Sequence, residues 1–182
     1  MISFLLRKAF AAFGRKYDYN TTYLQEVSTI YPAKAWRYLL LTPYSLHRSS
    51  ASKESYFAAK IASAHIADCG PCTNLCIEMA LEAGIDRQEL NSIILGNEKS
   101  MSPDILMGYK YAHAIHANSP ALDNLIHEIE IQYGKKGLWD LSTAVAMGDF
   151  YPKLKRGLGE AKSCLAPSEI AKEIANGTRK SA

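Results

Sequence analysis

Residues 53–86 read KESYFAAKIASAHIADCGPCTNLCIEMALEAGID, from Lys53 to Asp86, and this stretch decides the fold class. Ala58, Ile61, Ala62 and His65 recur at helical spacing behind Ser52, a residue suited to an N-cap, so a helix is expected from there to about Ala67. Cys69-Gly70-Pro71 then interrupts the chain, and Pro71 suits the first turn of a following helix. That helix should run from about Pro71 to Ala83, carrying Leu75, Met79 and Leu81, with Gly84 as its C-terminal cap. Helix, break and helix lie within thirty-four residues, and no alternating strand pattern precedes the cysteines.

Outward from this segment the periodicity stays helical. Thr22 to Leu41 gives one or two helices, with Pro32 the break and Pro43 the end. Asp86 with Glu89 three residues on resembles a capping box for a helix through Leu95. Ser102-Pro103 and Ser119-Pro120 each read as an N-cap followed by proline, starting helices through about Asn118 and Tyr133. A further helix from about Leu138 to Ala161 and a short one from Ser168 to Ala175, closed by Gly177, complete an all-α chain. With no low-complexity linker and no strong repeat, residues 1–182 read as a single domain. It has an N-terminal helical extension over 1–50, a core over 51–163 and a tail helix over 164–182.

Composition bounds the function. The chain of 182 residues is 48% hydrophobic and 21% charged, which suits a globular protein and argues against disorder or a fibre. A formal net charge of +3 with 21 scattered Lys and Arg gives no basis for a nucleic-acid partner. No stretch approaches the ~18–20 continuous apolar residues of a membrane span, the run from Ala58 to Ala67 being broken by Lys60 and His65. Cys69, Cys72 and Cys76 fall within eight residues of one another, which points to chemistry or metal rather than a secreted disulfide framework. A reducing, cytoplasmic compartment is the expectation.

The first seventeen residues contain Arg7, Lys8, Arg15 and Lys16, and no acidic residue comes before Asp18. Ile2, Leu5, Leu6, Ala9, Phe10 and Phe13 share one helical side, Arg7, Lys8 and Arg15 lie toward the other, and Phe4 is the exception. The basic amphipathic helix so formed packs on the body or a neighbouring subunit in one reading, and is a transit peptide or touches a membrane surface in the others.

The chemistry centres on Cys69 and Cys72. At a helix N-terminus, unpaired backbone N–H groups and the helix dipole favour an anion, so a thiolate at Cys69 is expected to have a lowered pKa. Two intervening residues put the second sulfur within disulfide reach, and Gly-Pro supplies a tight turn with a preset helical φ. His65 lies four residues before Cys69; if the helix continues to the motif, imidazole and sulfur share a face one turn apart, and His65 serves as acid or base. Packing is the alternative for His65 and for Cys76. The set His65, Cys69, Cys72 and Cys76 also offers four soft ligands of the kind zinc or an iron–sulfur cluster takes. His113 and His116 on one helix, His127 on the next, and Cys164 near the end read as ordinary packing or surface residues.

The stretch from Lys53 to Asp86, with its helix, C-x-x-C, helix and Ala83-Gly84-Ile85, resembles the carboxymuconolactone decarboxylase family, especially its alkylhydroperoxidase D-like branch. Residues Ser119 to Gly159, with Leu138-Trp139-Asp140-Leu141, resemble the family's C-terminal helical part, so the resemblance covers roughly Ser52 to Gly159. It implies a compact all-helical fold assembled into homo-oligomers. It also implies a dithiol that reduces a small peroxide or disulfide substrate and is recycled by a protein electron donor, with no cofactor. The redox branch carries Glu-x11-Cys-x-x-Cys-x3-His. Here Phe57 stands at the glutamate position and Cys76 at the histidine position, so the family's proton relay is missing while thiol exchange is retained. The expected function is therefore a thiol–disulfide oxidoreductase or peroxide-reducing protein acting through Cys69 and Cys72 with His65. The alternative is a helical oligomeric binding or regulatory protein lacking the relay, with a Cys/His metal site. Glu54 is a weaker replacement for the missing acid, being about 16 Å along the helix from His65.

Overall fold

Ser52 caps the helix that the cysteine motif follows: its side chain accepts the Ser55 N–H at 3.1 Å, and α4 runs Lys53–Ile66. Every residue of α4 from Ser55 to Ala64 is buried, so the one-faced amphipathic pattern expected of it is replaced by burial on all sides. Small side chains make this possible. Ala58, Ala59, Ala62, Ser63 and Ala64 leave room for neighbours on every flank, and α4 packs against α5 (Gly70–Glu82), α6 (Arg87–Leu95), α7 (Pro103–His116) and α8 (Leu122–Gly157).

Two glycines set how closely those neighbours approach. A Cβ on Gly108 of α7 would sit 2.0 Å from the Ser55 carbonyl oxygen, and one on Gly148 of α8 would sit 2.7 Å from the Lys60 carbonyl oxygen. Both helices thus lie backbone-close against α4, which only glycine permits. Asp140 of α8, itself buried, adds a polar anchor by accepting the N–H groups of Ser49, Ser50 and Ala51 at 2.8, 2.8 and 3.1 Å.

The computed structural model describes residues 2–160 and 167–176. Among them are nine α-helices, a short 3-10 turn at Glu98–Ser100 and no strand, which bears out the all-α class. The remaining helices are α1 (Ile2–Lys16), α2 (Thr22–Ile30), α3 (Pro32–Leu46) and α9 (Pro167–Ala175), and α9 lies on α6, where Arg87 donates to the Ile174 carbonyl at 2.9 Å. Cys164 and Gly177 lie outside the described residues. None of the described helices is long and apolar enough to cross a membrane.

The chain divides into two compact units, one up to His47 and the other from Arg48 onward. In the first, Leu6 and Phe10 of α1 are buried with Tyr23 and Leu24 of α2 and Ala35 of α3, and the Phe10 and Tyr38 rings meet edge-on at 6.1 Å. The second holds α4 to α9 and the cysteine motif.

Local readings differ from expectation at four places. The helix expected to start at Ser119-Pro120 begins instead at Leu122, with Ala121 at its N-cap. Pro43 does not end α3; the helix passes through it, because only one backbone bond is lost near the C-terminus and the last turn still closes through the His47 N–H on the Pro43 and Tyr44 carbonyls. Asp86 caps α6 by accepting the Gln88 N–H at 2.7 Å, but Glu89 does not complete a capping box: its carboxylate accepts the Ser102 N–H at 3.2 Å. The helices expected up to Tyr133 and from Leu138 form one 36-residue element, interrupted at Gly134 where φ is 68° and ψ −177°.

Gly108→Ala is expected to destabilise the fold by about 3 kcal/mol or more, because a methyl group pressed into a backbone carbonyl moves a whole helix. Gly148→Ala should cost less, its closest approach being looser, and urea denaturation of the two variants beside the parent checks the order.

Candidate functional site

α4 ends at Ile66, and Asp68 turns the chain with a positive φ of 51°. This reversal carries Cys69 away from the line of α4 and delivers it in extended conformation to the N-cap of α5. Arg156 of α8 holds the reversal in place, donating to the Ala67 carbonyl at 2.7 Å and the Asp68 carbonyl at 3.2 Å. On the other side, the Thr73 N–H and hydroxyl both donate to the Cys69 carbonyl, at 2.9 and 3.0 Å. The N-terminal cysteine is therefore fixed from both directions.

Cys69 and Cys72 form a disulfide, their Cα atoms 5.3 Å apart, and both are buried, at 0% and 3% exposure. Oxidised Cys69 makes no capping hydrogen bond. Pro71 lies in the first turn and has no N–H, so an N-cap thiolate would find its donor at Cys72.

Cys76, one turn after Cys72, is the one free cysteine among the described residues and is buried. Burial pushes its thiol up, and the opposing influence is Lys60 of α4. Lys60 is the feature the sequence reading missed. Only 3% of it is exposed, its ammonium lies 5.5 Å from the Tyr56 ring centre, and burial depresses its pKa from the usual 10.5 to about 8, with Cys76 opposing. Burial also pushes the Tyr56 hydroxyl up, with Cys76 and Asp140 adding to the rise. Phe57, at the position where the family carries glutamate, is buried with its ring edge-on to Tyr56 at 5.6 Å. One signal for Lys60 was present: it falls in the middle of a run that is apolar on every helical side, so its head group has no polar face to reach.

His65 does not share a helix face with Cys69, because α4 stops one residue after it and the chain reverses at Asp68. Burial pushes its imidazole down, with Asp68 opposing, and its Nδ1 is buried without a hydrogen-bond partner. His65 also lowers the His113 imidazole, though less than burial and His116 do. His116, expected to be a packing residue, has a defined role: its Nε2 lies 2.9 Å from the Ser63 hydroxyl, which donates to the Val145 carbonyl at 2.7 Å. The serine proton being spent, His116 Nε2 must be the donor. His127 is exposed. Glu54, in the first turn of α4, pairs with Lys53 at 3.7 Å. The four soft ligands His65, Cys69, Cys72 and Cys76 are not assembled into a cage, since among the described residues no three His, Cys, Asp or Glu are grouped to hold a metal ion.

Comparisons of the chain with protein-family models, with curated proteins and with solved structures find no match.

A lysine charge held in this interior costs stability. Its folded pKa lies below the unfolded value, so at neutral pH, with both states protonated, the folded state carries the full penalty, roughly 3 kcal/mol for a fall from 10.5 to about 8. The penalty is relieved as pH rises from about 8 toward 10.5. Lys60→Met is thus expected to be more stable than the parent at pH 7, with an advantage that shrinks across that window, as urea titrations at successive pH values would show.

Proposed function

We propose that this protein is a thiol–disulfide oxidoreductase in which Cys69 and Cys72 cycle between dithiol and disulfide. The observation that carries the reading is the closure of this pair at the first turn of α5, on a motif held from both sides. In the reduced state, the Cys69 thiolate attacks a substrate disulfide, forming a mixed disulfide and releasing one thiolate. Cys72, losing its proton, then attacks the Cys69 sulfur and releases the second thiolate. Two electrons pass to the substrate, which is reduced, while the pair is oxidised to the disulfide. A small thiol or a protein dithiol donor restores it by the reverse exchange.

Proton movement in this reading falls to groups other than the family's glutamate and histidine. Lys60, with a pKa of about 8 and electrostatically coupled to Cys76 one turn from Cys72, is placed to donate a proton near neutral pH. His65, whose Nδ1 is unpartnered, is the second candidate. Membership of the alkylhydroperoxidase D-like branch, assembly into a homo-oligomer, a small peroxide as a further substrate and a reducing cytoplasmic setting belong to the same proposal.

The burial of both sulfurs favours a second reading, in which the pair is a fixed crosslink in a helical binding or regulatory module. A redox titration separates the two. A cycling pair is expected to titrate within roughly −120 to −270 mV, the span of known exchange proteins, whereas a crosslink should resist reduction to below about −300 mV. In the first case, Cys69→Ser and Cys72→Ser should each abolish turnover of a model disulfide, since either loss prevents ring closure. His65→Ala should slow turnover tenfold or more if the imidazole moves a proton, with ~10² to 10⁴ the usual range for such groups. Peroxide turnover should be weak beside disulfide exchange, and an unchanged rate in His65→Ala would remove that residue from the mechanism.

A further inference from the structure

Charge is not spread evenly along the chain. Residues 1–47 contain six Lys or Arg and two Asp or Glu, a formal +4, whereas the remaining residues contain fifteen and sixteen, a formal −1. The same 47 residues hold nine of the fifteen exposed large hydrophobic side chains among the described residues. Cationic charge and exposed apolar surface are thus gathered in one small helical unit.

Within that unit, α1 shows how the two are arranged. Leu6 and Phe10 are buried, which fixes the face the helix turns to its own unit. Ile2 and Leu5 are more than half exposed and Ala9 is exposed too, and these three form a continuous stripe at i, i+3 and i+7. Phe4, 59% exposed, lies about 100° around the helix from Leu5, with the Lys8 ammonium 4.6 Å from its ring centre. Exposed Lys8 and Arg15 lie between Phe4 and the stripe, exposed Lys16 continues the line of the stripe at its C-terminal end, and exposed Arg7 lies on the far side of Phe4. α3 repeats the pattern on a smaller scale, exposing Trp36, Leu40 and Tyr44 at i, i+4 and i+8 beside Arg37.

We propose that α1 seats this protein on the surface of an anionic phospholipid bilayer, its exposed Ile2, Phe4 and Leu5 entering the headgroup boundary while Arg7, Lys8, Arg15 and Lys16 meet lipid phosphates. An apolar stripe bordered by cations is the arrangement of helices that lie in the plane of such an interface. A second copy of the chain is the less suitable occupant. α1 carries no acidic residue, so two such helices bring only like charges together, while an anionic surface neutralises them all.

Flotation of the full chain with lipid vesicles tests this, and it does not depend on the redox reading. The protein is expected to float with phosphatidylcholine vesicles containing phosphatidylglycerol and to stay behind with phosphatidylcholine alone. Each basic residue near the surface strengthens binding about fivefold, so reversing Arg7, Lys8 and Arg15 to Glu should weaken it by about a hundredfold or more. Phe4→Ser with Leu5→Ser should weaken it about tenfold. Millimolar inorganic phosphate should not compete, whereas competition would place the ligand in free phosphate and overturn the proposal. Failure to float with the mixed vesicles would also overturn it. So would a dimer by light scattering that the Phe4→Ser, Leu5→Ser variant dissociates, since the stripe would then be a self-association surface. Circular dichroism of each variant, matching the parent, secures the comparison.

Discussion

The fold depends on one constraint: α4 has no solvent side. A helix in this position must satisfy its backbone internally and present side chains small enough that four other helices can close on it. Alanine and serine meet that demand from Ala58 to Ala64, and the facing glycines of α7 and α8 complete it by bringing backbone against backbone. Dispersion contacts in such a packing are dense, and a change of a single methyl group is felt through rigid elements rather than absorbed by flexible side chains. The cysteine motif inherits this rigidity, because it begins two residues after the last turn of α4 and is held there by an arginine from α8.

The same burial explains the electrostatics around the motif. Lys60 and Tyr56 are buried on the central helix, so the charged state of each is disfavoured, the lysine being driven toward neutrality and the tyrosine kept protonated. Cys76, entering from α5, is held neutral by its own burial. Three ionisable groups thus share one interior. A charge on any of them changes the cost of charge on the others, and protonation there is a collective property rather than one belonging to a single residue.

Much of this arrangement was legible in the sequence. Ser52, Pro71, Asp86 and Pro103 marked helix starts within a residue or two because each acts through local chemistry, and the position of Cys69 at a helix N-terminus followed from Pro71 alone. What escaped was whatever depends on distant partners. The continuation of α3 through Pro43 rests on the turn beyond it. The engagement of Glu89 with Ser102 joins residues thirteen apart, and the anchoring of Ser49 to Ala51 by Asp140 joins residues some ninety apart. The supposed shared face of His65 and Cys69 failed because Asp68, a residue with no strong left-handed signal beyond its short polar side chain, takes that conformation. Lys60 was read as an interruption of an apolar run, when all-round burial depresses its pKa.

The interruption of α8 at Gly134 divides what would be a rod about 54 Å long into two bodies of different character. Beyond the break, Gly137, Asp140, Leu141, Ala144, Val145, Gly148 and Pro152 keep one stripe continuously inside, so that half shares the lifetime of the core. Ahead of it, only Ile129 is buried, and the arm is tied down at its end by Tyr133, whose hydroxyl donates to Asp104 at 2.8 Å and meets the hydroxyls of Ser52 and Ser55. A single non-helical residue thus separates the cooperativity of the two halves. Amide protons of the leading arm should exchange with solvent through openings the core does not share.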